Sequence, residues 1–398
     1  MTLASISAAA AARSFAPTAP VAARAQPGIE CKLISHAATD HLQQVYTGFR
    51  LLHQRGLIRL SQHCTRDGVA VSSDQHLRDS SGGHLRVIVN GRIRVHYDCH
   101  DSFEIHEKNL EQCDFYFKRS FLRSYVDGFQ AHAGKIFPLG LHYSVLPDSP
   151  DPYAVRRALA LGKGLNAKLA SLIDALGGAN PLRYAARMRD LESLPNYDLP
   201  ARVLFLVTAY DPYSRRDRSK AKIEEYIRIN ETRARCIQVL RKELGPNFLG
   251  GFTHNAYTVK NYREFLVADH GVTVKKRYLE TLKSYPICIA TTGLHGSIGW
   301  KFAEYVALSK AIVSEKLNYE VTGDLREGRN YLEFGTPEQC AERCTRLMEH
   351  RATRNALMLN NALYYQSYLR PDALVSNSLL KALAQAYECD FSAHLSLR

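Results

Sequence analysis

The second half of the chain alternates between short, unbroken apolar runs and longer amphipathic stretches. VLFLV (203–207) comes first. Five apolar residues without a polar position leave no face for water, so the run reads as a strand buried on both sides of a parallel sheet. A long helix follows from about Ser219 to Leu244, with Ile223, Ile227, Cys236, Ile237, Leu240 and Leu244 on its apolar face. Glu224 with Arg228, and Glu231 with Arg235, are i,i+4 pairs in the favourable order, and Gly245-Pro246 ends the helix. NFLGGF, PICIATT, KAIVSE and YLEFG read as further strands; KKRYLETLKSY, the stretch after GSIG, and TPEQCAERCTRLMEH read as helices. Before the last of these, Thr336 is an N-cap, Pro337 sits at N1 and Gln339 completes a capping box. Strict alternation of this kind specifies a doubly wound parallel sheet.

The first half is read from its turns. HLQQVYTGFRLLHQRGLIRLS predicts a helix stopped at Gly56 and then a short strand. HLRVIVNGRIRVHYD alternates about Asn90-Gly91, a hairpin signature. FYFKRSF and KIFPLGLHYSV read as two more strands, so residues 28–147 form a small α/β domain. Residues 148–200 open with a Pro/Asp turn, continue as helix and close on the proline-marked LPNYDLP, a connector and linker. Residues 1–27, rich in Ala and Pro and free of acids, read as a disordered tail; no charged segment precedes an apolar one, as a secretory signal requires.

Composition narrows the partners. The formal charge of +13 favours anionic ones: a nucleotide, an acidic membrane surface or nucleic acid. The basic residues are dispersed and not interleaved with the aromatics, which argues against nucleic acid. Nine cysteines without a CxxC pair point to a reducing cytoplasm, and Cys340 and Cys344, four apart, to core packing on one helix face.

One stretch carries chemistry. GLHGSIGWKFAEYVALSKAIVSE (293–315) places a small-residue turn where a strand becomes a helix. A helix start at the carboxyl end of a parallel sheet offers free N–H groups and partial positive charge to a phosphate. Gly296 and Gly299 would let backbone approach that ligand, Ser297 adds a donor and Lys301 a full charge, while a carboxylate at Glu304 could accept ribose hydroxyls. Lys301 and Glu304 could equally be an exposed i,i+3 pair.

The order GSIGWKFAEYVALSKAIVSE, GRNYLEF, TPEQCAERCTRLMEH resembles the donor-binding half of GT-B glycosyltransferases of the group 1 type, and VLFLVTAYDP with the helix ending KELG and NFLGGF resembles its opening; the likeness spans about residues 201–380. It implies an α/β fold of two Rossmann-like domains facing a cleft. The acceptor domain would be 28–147, the nucleotide-sugar domain 201–370, and residues 371–398 a helix packing back on the first. It further implies a nucleoside-diphosphate sugar as donor, a glycan or lipid-linked acceptor in surface polysaccharide synthesis, no cofactor and no metal. Peripheral contact of a cytoplasmic protein with an anionic membrane would suit the charge. One departure stands out: such enzymes often carry two glutamates eight positions apart, and with Glu304 as the second the first falls on Gly296, leaving His295 beside it as a stand-in. The same resemblance points to Arg215, Arg216 or Lys220 for the phosphates and to His254 as a cleft residue. In the first domain HYDCHDSFEIHEKN supplies Asp98 or Asp101 as a general base; its spacing matches no standard metal pattern, and Lys118 and Arg119 could meet an anionic acceptor. The rival readings are a nucleotide- or nucleic-acid-binding protein on the same sheet and a GT-B-like nucleotide-sugar epimerase.

Overall fold

Cys31 and Leu33 point inward while Glu30 and Lys32 face solvent, so ECKLIS is an alternating strand, β1 (Glu30–Ser35), which the sequence reading passed over. The computed structural model describes residues 28–65, 83–162, 164–177 and 186–395; the expected tail at 1–27 lies outside the described residues. Helix α1 (Gln43–Gln54) leads to β2 (Arg59–Cys64), and β3 (His84–Val89) turns into β4 (Ile93–Asp98). The turn is as its residues dictate: Asn90 and Gly91 both have positive φ (51° and 71°), and the Arg92 N–H closes on the Val89 carbonyl at 3.1 Å. β5 (Phe115–Lys118) and β6 (Ile136–Pro138) complete a six-stranded sheet of order β2-β1-β3-β4-β5-β6, in which only β3 runs against the others. The expected strand KIFPLGLHYSV is therefore three residues long. Beyond it Leu141, Tyr143 and Val145 leave the sheet and enter the core of the second unit.

Two helices, α2 (Pro152–Leu161) and α3 (Leu165–Leu176), then pack on each other beside the first sheet. The second sheet is wholly parallel: β7 (Val203–Val207), β8 (Phe248–Phe252), β9 (Ile287–Ala290), β10 (Ala311–Glu315) and β11 (Tyr331–Phe334), in the order β11-β10-β9-β7-β8. Its helices are α4 (Lys220–Leu244), α5 (Lys275–Lys283), α6 (Trp300–Ala307), α7 (Pro337–Glu349) and α8 (Arg351–Tyr364). Ser219 caps α4 by accepting from the Lys222 N–H, and Thr336 caps α7 by accepting from the Gln339 N–H. The Gln339 side chain takes the Gly335 N–H at 2.8 Å rather than that of Thr336, so the expected box is displaced by one residue. Cys236, Cys340 and Cys344 are all buried in this core.

α9 (Pro371–Leu395) crosses back to the first unit. Leu374, Val375, Leu379 and Ala382 join Phe49 and Tyr97 in its core, and Tyr97 and Ser378 share a hydrogen bond of 2.7 Å. The crossing needs glycine at Gly48 on α1: a Cβ there would lie 2.2 Å from the Pro371 carbonyl. The fold class is thus α/β with two sheet-bearing units, a mixed sheet in the first and a wholly parallel one in the second. Among the described residues no helix is long and apolar enough to cross a membrane.

Candidate functional site

The carboxyl edges of the two sheets meet. Just past β5, Arg119 pairs with Asp101 through one nitrogen and donates the other to the Ile298 carbonyl at 2.9 Å, in the turn before α6. The Glu320 N–H donates to the Phe121 carbonyl at 3.0 Å, and the Thr322 hydroxyl to that of Pro138 at 2.8 Å. Trp300 stands edge-on to His41, ring centres 5.3 Å apart, and 5.8 Å from His142. Two residues singled out in the sequence, Asp101 and His295, come close enough that Asp101 acts electrostatically on His295, and on Tyr319 and His41 as well. The Asp101 side chain stays 42% exposed at this mouth. Burial works to raise its pKa, but Arg119 and His41 outweigh it and hold the carboxylate below its usual range. His41 is lowered, chiefly by burial. The site thus offers an ionised carboxylate beside a neutral imidazole, a pair that can orient and deprotonate a hydroxyl.

Asp98 does not share that freedom, which corrects its assignment as a free base. It is 1% exposed and its oxygens are saturated: Oδ2 accepts from Tyr116 (2.6 Å) and Lys118 (2.9 Å), and Oδ1 from the His100 backbone and ring (both 3.0 Å). Burial alone would raise its pKa, yet Lys118, His84 and His100 drive it well below the usual value. The structure also adds a neighbour that motif spacing missed. Hairpin register sets His84 opposite Asp98, and among the described residues His84, Asp98 and His100 can bring ligand atoms within 4.8 Å of one another. The Lys118 ammonium already stands against Asp98, where a cation would have to sit.

On the opposite wall the turn 293–299 is held from three sides. His295 is left-handed (φ 60°); its N–H donates to Glu225 at 2.5 Å, its carbonyl accepts from the Tyr319 hydroxyl, and Lys222 lies 3.1 Å from its Nε2. A non-glycine residue in that region is strained and persists only where its surroundings fix it. Gly296 follows with φ 65°, and a Cβ there would come 2.9 Å from the Asn318 amide. Gly299 differs: its φ of −68° suits any residue and a Cβ would meet only ordinary contact. Ser297 is buried, its carbonyl accepting from the Gly293 N–H at 2.8 Å. No side chain caps α6; the Phe302 N–H turns back to the Gly299 carbonyl at 3.1 Å, and a helix start of this kind suits an anion at the N–H groups of Trp300 and Lys301.

Lys301 and Glu304 are placed differently from the expectation of a ligand-facing pair. The Lys301 ammonium donates to the Leu206 carbonyl at the end of β7 and lies 5.2 Å from the Tyr278 ring centre, and burial lowers its pKa to about 8. Glu304 is 3% exposed, ion-paired with Lys275 and accepting from the Tyr278 hydroxyl at 3.1 Å. The reason is the helix itself: Phe302, Ala303, Tyr305, Val306 and Ala307 are all buried, so α6 has no solvent face to give a glutamate. Arg215 and Arg216 remain exposed on their loop, Arg215 pairing with Asp217 at 3.2 Å. The guanidinium at the strand ends is that of Arg233, which donates to the Thr208 carbonyl (2.6 Å), the Thr291 hydroxyl (3.0 Å) and the Thr292 carbonyl (3.1 Å). His254 follows β8, but its Nε2 is bonded to the Val267 carbonyl at 2.9 Å. Sequence reasoning missed His41, His142, Trp300, Lys222, Glu225, Arg233 and Tyr319, which reach the site from five separate segments.

No protein-family profile matches the sequence, and no curated protein matches it. Solved structures give faint likenesses. The C-terminal domain of a glycosyl transferase group 1 family protein (LpcC) from Francisella tularensis is 12% identical over 46% of this chain and 97% of its own, with a TM-score of 0.30. Anabaena HepE in complex with UDP and glucose is 10% identical over 88% and 98%, at 0.37. The S. aureus MnaA–UDP co-structure is 10% identical over 86% and 96%, at 0.39. Likeness at this level carries no argument about activity, and the fold class stands on the strand order and the facing sheet edges.

Proposed function

We propose that the protein moves a sugar from a nucleoside-diphosphate sugar to an acceptor hydroxyl, in the making of a surface polysaccharide or glycan. One observation carries the reading: an ionised carboxylate of the first unit, Asp101, is joined through Arg119 to the turn that leads into the uncapped helix start of the second, α6. In the proposed step the acceptor oxygen bonds to the sugar's anomeric carbon as the bond to the diphosphate breaks. Asp101 takes the hydroxyl proton, and the departing diphosphate is met by the α6 N–H groups with Lys222 nearby. No step passes through a metal. Calorimetry with UDP, GDP, ADP and CMP is expected to select one nucleotide. Asp101→Asn is expected to lower turnover by about 10²–10⁴-fold, the span typical of a general base, with that nucleotide's affinity unchanged. Binding of oligonucleotides alone, or full activity in the variant, would reject the reading.

A further inference from the structure

Helix α3 is folded inside out. Its small residues Ala170 and Ala175, with Asp174, face the body of the protein, while Leu165, Leu169 and Leu176 are 82%, 49% and 64% exposed. The spacing of these leucines sets them along one side of the helix, and Leu159 of the adjoining α2 is 56% exposed as well. An amphipathic helix ordinarily turns such residues inward; single exposed leucines occur on other helices here too, such as Leu359, Leu363 and Leu380, but α3 places three along one side. The hairpin is nevertheless anchored: Tyr153 donates to the Leu60 carbonyl at 2.9 Å, Arg156 to that of Gln62 at 3.2 Å, and the Arg157 guanidinium lies 3.7 Å from the Tyr46 ring centre. A braced helix pair presenting leucines outward is a surface made to be covered.

Its charge says by what. Residues 152–177 contain Arg156, Arg157, Lys163 and Lys168 against a single acid, Asp174. Asp174 is buried, and Arg157 is buried against Asp151 at 3.2 Å. The accessible face therefore combines leucines with Arg156 and Lys168, and among the described residues of the hairpin no acid is exposed. A second copy on the same face would bring like charges together. An anionic lipid surface complements both features, with leucines entering the boundary between headgroups and acyl chains and the cations staying at the phosphates. A twelve-residue helix is too short to span a bilayer but suited to lying in its plane.

We propose that the α2–α3 hairpin docks the protein on an anionic lipid bilayer through Leu159, Leu165, Leu169 and Leu176, holding the first unit against the membrane. This inference does not depend on sugar transfer. It is tested by flotation of the full chain with vesicles of phosphatidylcholine alone and of an equimolar mixture with phosphatidylglycerol. The mixed vesicles are expected to carry the protein, less so at high salt. Leu165→Asp with Leu169→Asp is expected to weaken partitioning at least about tenfold, because two leucines lose their apolar burial in lipid. Lys168→Glu, which leaves the Arg156 anchor in place, is expected to weaken the preference for anionic vesicles. Melting temperature and nucleotide affinity, measured on the same variants, are expected to stay unchanged, which separates this inference from the proposed activity; should the double leucine variant melt early, Leu165→Ser at the most exposed position replaces it. Wild type that floats with neither vesicle, or a leucine variant that floats as wild type does, would overturn the proposal. So would a concentration-dependent dimer by light scattering that the leucine variants dissolve, since the face would then belong to a second copy.

Discussion

Each unit buries one carboxylate in the same company, a lysine and a tyrosine. Asp98 has Lys118 and Tyr116; Glu304 has Lys275 and Tyr278. They differ in what lies beyond. The Lys118 side chain is 1% exposed and His100 adds two more donors, so the Asp98 set is sealed. The Lys275 side chain is 35% exposed, so the Glu304 set opens to solvent through its cation. A sealed charge pair can only hold its surroundings in place. A pair with one partner in water can give that partner up at modest cost. The first network fixes β4 to β5 behind the cleft, and the second leaves a carboxylate beside the donor-side helix that can be re-engaged.

The sharpest way to break this comparison is Lys118→Met. It strands the Asp98 charge in the interior, and losing one partner of a buried pair costs about 3–5 kcal/mol. Chemical denaturation is expected to show a loss of that size, with Lys275→Met showing much less. Equal losses would mean that the two networks are not different in kind.

Acid separates the units next. Burial lowers the pKa of His84 and His142 well below the ordinary value and that of His96 to about 3. An unfolded imidazole binds a proton near pH 6.5. Each buried histidine therefore contributes stability that is whole above about pH 6.5 and lost as pH falls toward its folded pKa, up to about 2 kcal/mol each between pH 6.5 and 5. Asp98, whose folded pKa is depressed, adds a loss in a lower window, below about pH 4. Denaturation midpoints followed from pH 7.5 to 5 are expected to fall, and His96→Phe to flatten the slope. A constant midpoint would show that these rings take up protons without unfolding.

The same contrast explains what was legible in the sequence. The Asn90-Gly91 hairpin, the Thr336 cap and the parallel runs are local chemistry, and they form as read. Register was legible too, though unread: counting back from the hairpin turn pairs His84 with Asp98. Glu304 was misjudged because a helix turn was taken as surface, although its neighbours on every side are apolar. The start of α4 was misjudged similarly: Tyr226, Ile229 and Asn230 face inward, with Ile223 and Ile227 only half-buried. The cleft itself could not be read, since His41, Arg119, Glu225, Trp300 and Tyr319 meet only through the packing of one unit on the other.

Glu304→Gln sharpens the comparison at smaller amplitude. The amide keeps the shape and the bond to Tyr278, and Lys275 retains water, so the expected stability loss is about 1–2 kcal/mol, below that of Lys118→Met. If the carboxylate is re-engaged by a nucleotide, affinity is expected to fall about tenfold as a charged acceptor is replaced by a neutral one. Denaturation and calorimetry on one preparation separate the two effects. A stability loss with unchanged nucleotide binding would make this network as purely structural as that of Asp98.

The smallest effect belongs to Arg216→Ala. The loop 211–218 is basic and follows β7, so the sequence made it a phosphate contact, yet Arg216 points into solvent. The charge that organises the strand ends comes from Arg233, buried and bonded to three groups on the segments after β7 and β9. A long cation in water contributes little until something orders it, because the entropy of fixing it offsets the attraction. Arg216→Ala is therefore expected to change stability by less than about 0.5 kcal/mol and nucleotide affinity by less than about twofold. Calorimetry at low and at high salt gives the test its edge. A change seen only at low salt would be long-range attraction from a net-basic protein. A loss of more than about tenfold that survives high salt would require Arg216 to sit against the phosphates in the bound state, since only a desolvated contact escapes screening. The donor side would then close its loop on the ligand, and the openness that distinguishes the Glu304 network from the Asp98 network would extend to the backbone around it.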